Sequence, residues 1–265
     1  LVSLGSGSLN LDGTSSAVLQ GETTLSKNGA IYLTALSLNG NTFSLGSNVT
    51  DLSINATMSI ANGETLNIAT SGLSMGSTLT IENGGSLSSS SGNVQIMGAL
   101  TLGGSLVQGG GELNMIGGGS IATGGELDIK DSVLKMGAQL SVAGELVVNS
   151  GTTWDGLGGT VDLTAGTFES GGGTFELNSF QVGENSTFSL TGATTIVSSN
   201  DLTLGNLELG GNKLILDFGD KALILPKTLA METANSVIET GVSRLTLSNP
   251  LQLNKGSITS TDGTL

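Results

Sequence analysis

Carboxylates carry nearly all the acid–base chemistry this sequence can offer, because its 265 residues include neither His nor Cys. Those absences remove the commonest general bases, nucleophile pairs and zinc sites. Glu126 and Glu145 precede Leu127 and Leu146 in two similar phrases, GGELDIK and AGELVVN. Stacked about 5 Å apart on one face, such a pair suits a general acid with a nucleophile, or half of a calcium site. No Arg or aromatic sugar platform accompanies them, so two solvated surface carboxylates are the plainer reading. No residue is assigned a catalytic, cofactor-binding or metal-ligating role, and no cofactor is expected.

Other motifs carry less. Calcium repeats of the GGxGxD kind do not occur, and the Asp-Gly pairs at Asp12-Gly13, Asp155-Gly156 and Asp262-Gly263 read as turns. Trp154 and Tyr32 are the lone Trp and Tyr, better read as packed at corners than as binding anchors. Three Asn-x-Ser/Thr sequons, at Asn48, Asn55 and Asn185, are expected by chance in a chain this rich in Asn, Ser and Thr.

The elements that must position these residues are visible in GGELDIKDSVLKMGAQLSVAGELVVNSG, residues 124–151. Its central apolar residues, Leu127, Leu134, Leu140 and Leu146, are separated by 7, 6 and 6 residues. Three such steps make a repeat of about 20 residues, and three apolar series follow it. The first is Leu25, Leu45, Leu66, Leu87, Leu106, Leu127, Leu146, Phe168, Phe188 and Leu207. The second is Leu52, Leu73, Val94, Leu113 and Leu134. The third is Met58, Leu79, Leu100, Ile121, Leu140 and Val161.

Within each short segment apolar and polar residues alternate, as in Leu66-Asn67-Ile68 and Leu79-Thr80-Ile81, the period-two signature of a strand with one buried face. Strands this short gain cohesion by stacking on their counterparts one coil later. The prediction is an all-β fold, a right-handed parallel β-solenoid with three short strands per coil and about 13 coils. The 43 glycines sit mainly between the strands, and only two prolines, Pro226 and Pro250, occur, as expected where nearly every strand donates ladder hydrogen bonds on both sides.

Charge divides the chain. Residues 1–210 carry 17 acids and 3 bases, while residues 211–265 carry 5 of each, so the net charge of −14 belongs to the first part. We expect a regular acidic solenoid over 1–210. Over 211–265 we expect less regular coils, with Leu225 and Leu245 continuing the Leu207 series, or a segment covering a flank or end. Residues 227–235 read either as part of a coil or as a short helix. The acidic surface repels phosphate backbones and anionic lipid heads, which argues against nucleic acid. No apolar run of 18 residues exists to insert in a membrane. Neither chain end reads as a polar cap, which suggests a piece of a longer secreted chain or a unit whose ends neighbours cover.

β-Helical lyases and hydrolases build clefts from long insertions, whereas the spacing of the first series stays between 19 and 22. No cleft is expected. An ice-binding face would need Thr-x-Thr in coil after coil, and Thr78-Leu79-Thr80 has no such counterparts. The polar column Thr24, Ser44, Thr65, Ser86, Ser105, Glu126, Glu145, Thr167, Thr187 and Asn206 reads as an outward face that carbohydrate could contact weakly.

The phrases GGSLVQG, GGELDIK, AGELVVN and AGTFESG resemble the β-helical stalks of bacterial surface proteins, namely autotransporter passenger domains and filamentous-haemagglutinin-type adhesins. The resemblance covers residues 8–210. It implies export to the extracellular space or cell surface and a role as spacer, adhesin or filament. The expected function is an extracellular structural or adhesive solenoid, not an enzyme, joined head-to-tail or continued in a larger chain. A carbohydrate-active enzyme or carbohydrate-binding module is the alternative.

Overall fold

The computed structural model describes residues 16–26, 28–149, 151–155, 160–163, 165–176, 180–183 and 185–260. Both chain ends, and with them the turns at Asp12-Gly13 and Asp262-Gly263, lie outside these residues, as does Gly156. Every regular element among the described residues is a strand, and no helix is long and apolar enough to cross a membrane. The strands pair only in parallel, each with a counterpart one coil before, one coil after or both, so the chain forms a β-solenoid.

Three faces result, each with twelve described strands. The first is a ten-stranded sheet from Thr23–Leu25 to Asn206–Glu208, followed by the pair Ala230–Met231 and Gln252–Leu253. The second is a seven-stranded sheet from Gly29–Leu33 to Thr153–Asp155, followed by five strands from Gly173–Glu176 to Ser257–Thr259. The third begins with Ser16–Val18 and Ala35–Ser37. It continues as seven strands from Met58–Ile60 to Phe180–Val182 and ends with three from Leu202–Thr203 to Arg244–Leu247. The turns number about 11 at a spacing of about 21 residues, slightly fewer and longer than the 13 coils of 20 expected.

Alternation does the packing. In strand Leu79–Ile81 the two apolar side chains are fully buried while Thr80 between them faces outward, and the core is one continuous column from Leu19 to Leu245. In it Phe168 stacks on Phe188 with centroids 4.8 Å apart and meets Phe175 edge-on at 5.6 Å.

The register confirms the second apolar series in full and corrects the other two. Leu66 lies against Phe43, not Leu45, so the outward column enters Thr65 from Thr42 instead of Ser44. Leu100 lies against Gly119, while Ile121 stacks between Leu102 and Val142. Both errors are slips of two residues, which leave the alternation intact. Leu225 and Leu245 belong to the third face, where Leu202, Leu223 and Leu245 are in register. The first face resumes only at Ala230–Met231. Residues 227–235 form no helix: that strand sits at their centre and is buried at Met231.

The corner between the third and first faces shows why Gly-Gly recurs. Gly124 has φ +87°, a conformation costly for residues with a Cβ. A Cβ on Gly125 would lie 2.3 Å from the Leu102 carbonyl oxygen of the previous coil. The two glycines thus serve different ends, one for the turn and one for the stacking distance.

Candidate functional site

Parallel pairing sets Glu126 directly against Glu145, with neighbouring strands about 4.8 Å apart. Asp128 and Glu169 flank them on the same outward face, in register through Val147. Four carboxylates therefore crowd three adjacent coils. Burial holds the Glu145 carboxyl above its ordinary value of 4.5, and the charges of Glu169, Glu126 and Asp128 push it the same way. Asp128 is better compensated. Its oxygens accept from Lys130 Nζ at 2.6 Å and Asn149 Nδ2 at 2.9 Å, and this hydrogen bond raises the Lys130 ammonium above its ordinary range.

A shallow groove of about 310 Å3 runs past Glu126 along the glycine corner, touching Asn83, Gly84, Ser86, Ser105 and Gly124. Glu145 is not part of its wall. The two carboxylates are thus brought together by register and separated by access. No group of three or more metal-ligating side chains is arranged around a common point among the described residues.

The half-buried hydroxyls Thr65, Ser86 and Ser105 continue the same column, with Thr65 Oγ1 and Ser86 Oγ 3.0 Å apart. On the third face the register aligns Ser59, Thr80, Thr101, Ser120 and Ser141, then Asp162 and Gln181. This hydroxyl ladder is one residue wide, since the positions preceding its strands include Ala99 and Gln139.

The chain matches no protein-family model, no curated protein and no solved structure.

Trp154 is half-buried against the core and in register with Leu134, while Tyr32 is 55 % exposed. The sequon residues Asn48, Asn55 and Asn185 are all exposed. Two features escaped the sequence reading. Glu64 stands where the next coil has Gly85, yet it is only 6 % exposed, and its carboxylate accepts the Gly40 N–H at 2.6 Å and the Ala61 N–H at 2.7 Å. The second is a groove of about 400 Å3 between Asn206–Glu208 and Ala230–Met231. Its only sequence signal is the step from Leu207 to Ala230 and Met231, longer than any within the first series.

Proposed function

We propose that this chain is a non-catalytic, extracellular structural or adhesive solenoid, a stalk or filament-forming segment of a bacterial surface protein. The observation that carries the reading is the first face, ten strands stacked with only shallow relief around the stacked carboxylates. Such a body transmits length. Its eleven turns at about 4.8 Å each extend it by roughly 50 Å, and the net charge of −14 opposes lateral aggregation of sheet surfaces. The likeness of GGSLVQG, GGELDIK, AGELVVN and AGTFESG to the coils of autotransporter passengers and haemagglutinin-type adhesins supports export to the cell surface.

Head-to-tail stacking, or continuation within a larger polypeptide, belongs to the same proposal, because a parallel ladder can be extended coil by coil. Electron microscopy of the native material tests the proposal. Stalks or fibres built of solenoid units are expected, and compact isolated particles free of any surface would overturn it. The Glu126 and Glu145 pair favours a second reading, a carbohydrate-active or carbohydrate-binding face. A glycan-hydrolysis screen decides between them, since turnover abolished by Glu126→Gln would replace the structural reading.

A further inference from the structure

The groove between Asn206–Glu208 and Ala230–Met231 is a gap of the ladder in an otherwise continuous face: the first strand is the last of the ten-stranded sheet, and the second pairs only with Gln252–Leu253. We propose that this gap is a docking site for an extended basic peptide that adds one strand between the two edges.

Backbone alternation supplies the bonding groups. In a parallel strand the N–H and C=O of one residue point to one neighbour and those of the next residue to the other. The Asn206 N–H donates backward to Ser186 O at 2.9 Å, so the N–H and C=O of Leu207 face forward into the gap. On the far side Leu229 O accepts from Gln252 N at 2.9 Å and Met231 O from Lys255 N at 2.9 Å. Ala230 between them therefore turns its N–H and C=O back toward Leu207. Each wall presents a donor and an acceptor, the arrangement that strand addition uses. The opening, about 400 Å3, reaches past the two strands to Gly210, Thr233 and Ser236.

Charge selects the occupant. The charged side chains lining the groove are Glu208 and Glu232, both exposed and both acidic. Lys213 does not neutralise them, being engaged with Glu239 at 2.7 Å. A peptide alternating small apolar with Lys or Arg residues matches both the pleat and the charge.

The test titrates the full chain with a fluorescein-labelled hexapeptide of alternating lysine and valine. Saturable binding is expected, weakened at least fivefold by the double substitution Glu208→Gln, Glu232→Gln. A peptide of identical charge whose backbone nitrogens are all methylated is expected to bind at least tenfold more weakly, because it cannot donate to either edge. Equal binding of the methylated peptide would reduce the effect to surface electrostatics and overturn the proposal. No saturable binding, or binding undiminished in the double variant, would overturn it too. Both glutamates are exposed, so loss of fold does not confuse the readout.

Discussion

Leu127 and Glu126 are neighbours in the chain and opposites in environment: the leucine is fully buried in the axial column, while the glutamate is half-exposed beside a groove. Leu127→Asp places a charge among apolar neighbours without a partner and should cost about 4 kcal/mol or more, whereas Glu126→Ser should change stability by less than about 0.5 kcal/mol. Thermal or denaturant melts check the contrast. Comparable losses would mean that the faces are reversed. Glu145 yields a pH prediction. Its carboxyl titrates above 4.5 in the folded chain because it is partly buried among like charges. The folded state then holds the proton more tightly than the unfolded one, so this group favours folding at low pH, and that contribution is lost as pH rises through its folded pKa. Glu145→Gln should therefore melt at a higher temperature than the parent at pH 7, with the difference shrinking below pH 4.5. Parallel melting curves of the two proteins across that range would contradict the assignment.

At the scale of the strand and its corner, stacking distance governs. A methyl group on Gly125 would lie 2.3 Å from a backbone carbonyl, and backbone yields only by spreading two coils. Gly125→Ala should destabilise by about 1–3 kcal/mol, although alanine is ordinarily harmless in a loop. In the equivalent corner of an earlier coil the buried Glu64 carboxylate accepts hydrogen bonds from the Gly40 and Ala61 N–H groups. Glu64→Ala would leave those two N–H groups without their carboxylate acceptor and should cost about 1–3 kcal/mol, measurable by denaturant titration. The aromatic step of the core should be the most sensitive strand position. Phe168→Ala removes a fully buried ring that touches both Phe175 and Phe188, for an expected loss of about 3–5 kcal/mol.

For the whole molecule, nearest-neighbour stacking means that damage at one coil is felt first by the coils on either side. Hydrogen exchange of Phe168→Ala should show lost protection centred on residues 165–190, with the strands near Leu52 and Leu73 still protected. Uniform loss along the rod would indicate that the solenoid unfolds as one cooperative unit. The third face breaks first after Ala35–Ser37, and further along the chain the faces break in succession, the second after Thr153–Asp155, the third again after Phe180–Val182 and the first after Asn206–Glu208. Pairing resumes after each break, so the coil carries on while the ladder steps from one set of sheets to the next.

Alternation of apolar and polar residues, a repeat near 20 and glycine between the segments determined the solenoid, its three faces and the direction of most side chains. They also placed Glu126 beside Glu145, since the matching phrases GGEL and AGEL fix the register there. Register was misread where a segment offers two apolar or small residues two positions apart as the candidate partner. A two-residue change in a corner preserves which face each residue occupies, so Leu45 and Phe43, or Ile121 and Gly119, look equivalent in the sequence, and only backbone pairing chooses between them. The same holds for residues 227–235, whose composition suits a helix or a strand until the strand Gln252–Leu253 pairs with Ala230 and Met231. The groove beside Leu207 was hidden for a further reason. It is made by a pairing that does not form, and a gap between two edges has no residue pattern of its own; it exists only once the strands on both sides have found their other neighbours.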